Sequence, residues 1–171
     1  MEDLKNYIRN IPDFPKKGIL FRDITTLLSN KEKFKEVIDE LAKRYSGKNI
    51  DAVVAIESRG FIFGGALAER LGAGFVPVRK KGKLPHKTLS ATYSLEYGED
   101  TLQIHEDALQ PGAKVLLIDD LLATGGTMAA VIELVKKLKA DIIELAFVIE
   151  LTDLKGRANL KGVPVYSMVK Y

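Results

Sequence analysis

Val115-Leu-Leu-Ile-Asp-Asp-Leu-Leu-Ala-Thr-Gly-Gly-Thr127 is the stretch that decides how this chain folds. Lys114 to Ile118 runs into it as a continuous apolar segment, the pattern of a strand covered on both faces. The strand delivers two adjacent acids, Asp119 and Asp120, to its carboxyl end, where open α/β sheets collect ligands. Thr124, Gly125, Gly126 and Thr127 follow just where a helix begins. Glycines let main-chain N–H groups approach an anion, the hydroxyls add donors, and a helix start contributes partial positive charge. The turn therefore reads as a phosphate cradle. It has neither the Gly-Lys-Ser/Thr of a P-loop nor G-x-G-x-x-G spacing. Acids beside a monophosphate cradle suit a sugar phosphate, because carboxylates accept from ribose hydroxyls while the turn holds the 5-phosphate. Charge-assisted bonds of that kind are worth roughly 1.5–3 kcal/mol each. A strand-end acid pair or a Gly-Gly turn alone is an ordinary surface feature; the thirteen residues together are not.

Outward from this segment, Thr127 to Lys139 places Met128, Val131, Ile132, Val135 and Leu138 on one helical face. Ile142 to Leu151 and Val163 to Val169 read as further strands. Upstream, a helix spans about Asn30 to Tyr45, with Phe34, Val37, Ile38, Leu41, Ala42 and Tyr45 in period and Ser29 and Glu32 at capping-box spacing. Asp51 to Ile56 and Phe75 to Val78 are short buried strands on either side of a helix over Phe61 to Leu71, whose Gly64 and Gly65 permit close packing against a sheet or a ligand. Thr92, Ser94 and Glu96 alternate with Tyr93, Leu95 and Tyr97. That alternation predicts a two-stranded hairpin that projects from the core and turns at Gly98-Glu99-Asp100. Apolar strands alternating with amphipathic helices predict an α/β fold with a central, mainly parallel sheet flanked by helices.

A length of 171 residues predicts one domain. Apolar residues at 46% and charged residues at 29% exclude a disordered or fibrous chain. With no cysteine, disulfides, cysteine-ligated metal and thiol catalysis are excluded. No apolar run approaches the ~18 residues of a membrane span, and the polar start Met-Glu-Asp-Leu-Lys-Asn predicts no signal peptide. A cytoplasmic protein without a membrane partner is expected. Twenty-six Lys and Arg against twenty-three Asp and Glu leave only +3, which does not make a nucleic-acid binder. The surplus is local, at Arg79, Lys80, Lys81, Lys83 and Lys87, and points to an anionic ligand there. His86 and His105 are isolated and lack metal-ligand spacing.

Val115–Thr127 resembles the phosphoribosyl-diphosphate signature of the type I phosphoribosyltransferases, in the form carried by the members that use adenine. Ile11-Pro-Asp-Phe-Pro15 with Gly18-Ile-Leu-Phe-Arg-Asp23, Glu57-Ser-Arg-Gly-Phe61, Arg79-Lys-Lys-Gly-Lys-Leu-Pro85 and Tyr93-Ser-Leu-Glu-Tyr-Gly98 match the same family. So do Val148-Ile-Glu-Leu-Thr152 and Leu154-Lys-Gly-Arg157, so the resemblance covers nearly the whole chain. It implies the type I phosphoribosyltransferase fold within one domain over residues 1–171. In that fold a small base-binding hood comes from residues 1–30 and about 150–171, and residues 80–105 form a flexible catalytic hairpin. The implied reaction moves the 5-phosphoribosyl group from 5-phosphoribosyl 1-diphosphate to N9 of adenine, giving AMP and diphosphate in purine salvage. Mg2+ is implied as cofactor, held mainly by substrate and water, with no protein metal ligand.

Residue by residue, the resemblance implies Asp119 and Asp120 on the ribose hydroxyls and Ala123, Thr124, Gly125, Gly126 and Thr127 on the 5-phosphate. Glu57, Ser58, Arg59, Arg79, Lys80 and Lys83 would serve the diphosphate, the first three in a tight loop with a cis peptide. Lys83 would reach the neighbouring site of a homodimer. Glu96 becomes the catalytic acid or base, delivered as the hairpin closes, with Arg59 also at the reacting centre. Phe21 would stack on the purine while main-chain groups of Leu20 and Arg22 read its edge. Residue pattern alone leaves Glu96 a solvent-facing glutamate, Phe21 a core residue and the basic cluster a solvated run. Two rival functions stand beside this one. The same transfer to an oxopurine is opposed by the Phe21 segment. A non-catalytic sensor of the sugar diphosphate is opposed by Glu96, the basic loop and the lack of a basic helix-turn-helix before residue 50.

Overall fold

Pro12, Pro15 and Gly18 leave room only for short elements at the start of the chain. The computed structural model describes residues 2–94, 98–160 and 162–171, and the chain divides into a unit of residues 1–44 and a unit of residues 45–171. In the first, β1 (Arg9–Pro12) and β2 (Leu20–Asp23) pair antiparallel with Ile11 opposite Phe21. Helix α1 (Thr25–Ser29) and the longer α2 (Lys31–Tyr45) follow. Val37, Ile38, Leu41 and Tyr45 of α2 are buried, as its periodicity predicts. Its cap is Asn30 rather than Ser29. Asn30 Oδ1 accepts from the N–H groups of Glu32 and Lys33 at 3.2 and 3.0 Å, whereas Ser29 Oγ donates back to the Thr26 carbonyl at 3.1 Å.

The second unit is built on seven strands. In chain order these are β3 (Ala52–Ile56), β4 (Gly74–Lys80), β5 (Thr88–Ser94), β6 (Glu99–His105), β7 (Lys114–Leu122), β8 (Asp141–Glu150) and β9 (Val165–Lys170). Helix α3 (Arg59–Leu71) connects β3 to β4, and α4 (Gly126–Lys137) connects β7 to β8. The sheet order is β5-β6-β4-β3-β7-β8-β9. The five strands from β4 to β9 along this order are parallel, and β5 and β6 form an antiparallel edge. Val115 to Ile118 are fully buried, which is why this stretch carries no polar alternation. Helix α3 lies on the face of Ala55 and Ile118, where Gly64 makes the fit: a Cβ there would stand 2.6 Å from Ala55 Cβ. Gly65 faces open space and has no such role. Met128, Val131, Ile132 and Val135 of α4 join Val54, Val115 and Leu117 in the core of the opposite face.

The hairpin differs from its expectation in two respects. It is a continuation of the main sheet rather than a projection, because Arg79 and Lys80 of β4 pair with Gln103 and Leu102 of β6. Ala91, Leu102 and Ile104 are accordingly buried. Glu99 and Asp100 belong to β6, opposite Ser94 and Tyr93, and so do not form the turn. Leu95, Glu96 and Tyr97 lie outside the described residues.

Replacing a helix-capping Asn by Ala costs about 1 kcal/mol. Asn30→Ala should lower unfolding free energy in urea by that amount, and Ser29→Ala by no more than a few tenths of a kcal/mol.

Candidate active site

Strands β3 and β7 are neighbours, yet the chain leaves β3 through α3 toward β4 and leaves β7 through α4 toward β8. Their carboxyl ends therefore open a crevice where the strand order reverses, the usual ligand position of such sheets. Two cavities meet there. The first, of about 350 Å³, is lined by Glu57, Ser58, Arg59, Lys80, Tyr93, Asp119, Asp120 and Thr127, with Ile56 and Leu102. The second, of about 200 Å³, is lined by Ala123, Thr124, Gly125 and Met128, and shares Arg59, Asp119, Asp120 and Thr127 with the first.

Asp120 is buried and receives a hydrogen bond from Arg59 Nε. Asp119 Oδ1 accepts from the Asp120 N–H at 2.9 Å. A Cβ on Gly60 would stand 2.8 Å from that same oxygen, so glycine after Arg59 makes room for the carboxylate. Burial, reinforced by the charge of Asp120, pushes the Asp119 carboxyl well above the ordinary carboxylate range. Adjacent carboxylates in a part-buried crevice favour a partner that shares hydroxyl hydrogens with them, or brings positive charge.

The turn into α4 is set by glycines from two segments. Gly125 has φ +83, and a Cβ there would collide with the Gly156 carbonyl; a Cβ on Gly156 would collide with the Ala123 carbonyl. Asn159 Nδ2 donates to the Thr124 carbonyl at 2.7 Å from the same side. The segment bearing Gly156 and Asn159 is docked by Arg157, which grips Glu150 with two bonds of 2.6 Å. The carboxyl of Glu150 is thereby held below its usual range. With the carbonyls of Ala123 and Thr124 turned to this backing, the open start of α4 is left to present N–H donors to an anion.

Among the expected diphosphate residues, Glu57, Ser58, Arg59 and Lys80 reach the first cavity. The Glu57–Ser58 peptide is cis, as the resemblance implies. Glu57 Oε1 accepts from the Lys80 N–H at 2.6 Å, tying the loop to β4. Arg79 and Lys83 line neither cavity. The Arg79 guanidinium lies 3.4 Å from Glu57 Oε2 and donates to the Lys83 carbonyl at 3.2 Å. Leu20, Phe21 and Arg22 belong to the first unit. Phe21 is half-buried rather than core, with its ring 5.1 Å from Phe14 at 73°, and Arg22 donates to Asn10 Oδ1. Glu96 falls outside the described residues. The two histidines are not isolated, since their rings stand 6.0 Å apart. Tyr93, Leu102, Gly156 and Asn159 were not singled out from sequence. Tyr93 and Gly156 left traces there, inside the Tyr93-Ser-Leu-Glu-Tyr-Gly98 and Leu154-Lys-Gly-Arg157 matches.

The profile of the phosphoribosyl transferase domain matches residues 24–166. Over 171 residues the chain is 59% identical to the adenine phosphoribosyltransferase of Trichlorobacter lovleyi, covering all of both proteins. The chain belongs to the adenine phosphoribosyltransferase family. To the family member of Chloroflexus aurantiacus it is 59% identical over 99% of this chain and 98% of that one. Among solved structures, adenine phosphoribosyltransferase of Thermoanaerobacter pseudethanolicus superposes with a TM-score of 0.96 at 52% identity, over 99% of each chain. The Saccharomyces cerevisiae family member, solved with an imino-altritol bisphosphate and adenine, gives 0.92 at 45% identity over 97% and 96% of the two chains. Among the described residues no helix is long and apolar enough to cross a membrane.

A carboxyl with a raised folded pKa weakens the native state once pH exceeds its unfolded value, 3.8 for Asp119. Asp119→Asn should therefore raise the melting temperature at pH 7 by about 2–4 °C for each kcal/mol released. The gain should shrink as pH falls toward 4 in a thermal series.

Proposed function

We propose that this chain transfers the 5-phosphoribosyl group of 5-phosphoribosyl 1-diphosphate to N9 of adenine, forming AMP and releasing diphosphate. Support comes from the two cavities meeting on Asp119, Asp120 and Thr127, joined with family members matched over their full length. In this reading the second cavity takes the 5-phosphate through Ala123, Thr124, Gly125, Gly126 and Thr127. Asp119 and Asp120 take the ribose hydroxyls, and the first cavity takes the diphosphate through Ser58, Arg59 and Lys80. The N9–C1 bond forms as the C1–O bond breaks, the diphosphate leaving with the electron pair. The acids at the crevice stabilise the positive charge that develops on the ribose ring. Sugar and base are held in line rather than activated covalently.

The proton lost from N9 passes to Glu96 in this proposal, and Leu20, Phe21 and Arg22 bind adenine, both assignments resting on the sequence resemblance. Arg79 and Lys83 complete the diphosphate set in the same way, Lys83 in a homodimer. No three His, Cys, Asp or Glu side chains gather as a metal cage among the described residues. Asp119 and Asp120 would hold the water shell of Mg2+ brought in with the substrate. When bound, it supplies charge neutralisation for the leaving diphosphate. We place the enzyme in the cytoplasm, in purine salvage.

Purified protein with magnesium and 5-phosphoribosyl 1-diphosphate should give AMP from adenine and no nucleotide from hypoxanthine, guanine or xanthine. Product from an oxopurine would overturn the choice of base, and no product from any base would overturn the reaction. Glu96→Gln should cut turnover by roughly 10²-fold or more while changing substrate binding less. An unchanged turnover number would remove Glu96 from the reaction.

A further inference from the structure

Lys80 is the lysine that the first cavity offers to a polyanion, and it is already engaged. Its Nζ stands 3.0 Å from Asp100 Oδ2. Tyr93 donates its hydroxyl to the same oxygen at 3.4 Å, and the Thr101 N–H binds Asp100 Oδ1 at 2.8 Å. Lys80 and Asp100 come from the adjacent strands β4 and β6, and Tyr93 faces Asp100 across the β5–β6 pair. Three elements are thus fixed to one carboxylate at the rim of the cavity. That carboxylate is fairly well covered, at 22% exposure, whereas the lysine is 60% exposed. The pair holds the Asp100 carboxyl below and the Lys80 amine above their ordinary ranges, each chiefly through the hydrogen bond to the other. Both therefore stay charged near neutral pH.

We infer that Asp100 is a positioning residue that aims Lys80 at the cavity and competes with diphosphate for its ammonium, setting how readily diphosphate leaves. This rests on the phosphoribosyl-transfer reading. A carboxylate and a diphosphate both seek the same cation. With Asp100 present the lysine is pre-aimed, but part of its charge is already compensated. An amide in place of the carboxylate keeps an acceptor oxygen for Lys80 and Tyr93 and removes the competing charge.

Calorimetric titration of the full chain with magnesium diphosphate tests this. Asp100→Asn should bind diphosphate about two- to fivefold more tightly than wild type, the range expected for a partly exposed ion pair. Asp100→Glu should restore wild-type affinity, and in a Lys80→Gln background the gain from Asp100→Asn should vanish. A merely structural Asp100 would weaken or leave unchanged diphosphate binding when replaced by Asn. That result, or a gain that survives loss of Lys80, overturns the inference. Asp100→Ser gives the same readout should the amide disturb the hairpin. Turnover by wild type with no gain in Asp100→Asn sinks this inference alone, while absence of AMP formation by wild type sinks the reading beneath it.

Discussion

Asp119 and Asp120 stand side by side at the end of a strand whose preceding four residues are fully buried. Taking carboxylates out of water costs several kcal/mol each unless donors or cations compensate them. Asp120 is compensated by Arg59 and Asp119 by a main-chain N–H. Arg59 is available because α3 begins at that residue directly after the loop from β3, the strand paired with β7. Gly60 follows because any side chain there would press on the Asp119 carboxylate. The Ser-Arg-Gly of one loop is thus written by the Asp-Asp of the other. The incomplete compensation of Asp119 leaves that carboxyl open to hydroxyl donors.

The turn into α4 obeys a second packing constraint of the same kind. Gly125 has no room for a Cβ beside the Gly156 carbonyl, nor Gly156 beside the Ala123 carbonyl, and the Arg157–Glu150 fork docks the backing segment. Its carbonyls are occupied from behind, by Asn159 at Thr124 and by the first turn of α4 at Gly125, whose carbonyl accepts from the Ala129 N–H. With those two carbonyls engaged, the turn is left with its N–H donors. The two cavities converge because both loops leave neighbouring strands at the point where strand order reverses, on opposite faces of one sheet.

Much of this was legible in the sequence wherever the signal was local. The buried strand, the paired acids and the Gly-Gly turn into α4 are contiguous, and each states its own chemistry. Pairing was not legible. Alternation over residues 92–97 announces a hairpin with two faces but says nothing of β4, whose Arg79 and Lys80 lie 24 and 22 residues before their β6 partners Gln103 and Leu102. The capping spacing of Ser29 with Glu32 was real, yet Asn30 stood one residue nearer the helix and took the bonds. Gly156 matched a family segment but had no chemistry to display, because its role is to be absent beyond its Cα. Arg79 and Lys83 carried the right charge, but the contacts of the Arg79 guanidinium with Glu57 and the Lys83 carbonyl were not legible there.

The central claim is that the acid pair on β7 receives the sugar of the phosphoribosyl donor. Titration of 5-phosphoribosyl 1-diphosphate, with magnesium, into wild type and into the double variant Asp119→Asn, Asp120→Asn measures it most directly. Loss of two charge-assisted bonds predicts binding weakened at least about tenfold, in a variant that melts no lower than wild type. Affinity within twofold of wild type would contradict the account and move the sugar elsewhere.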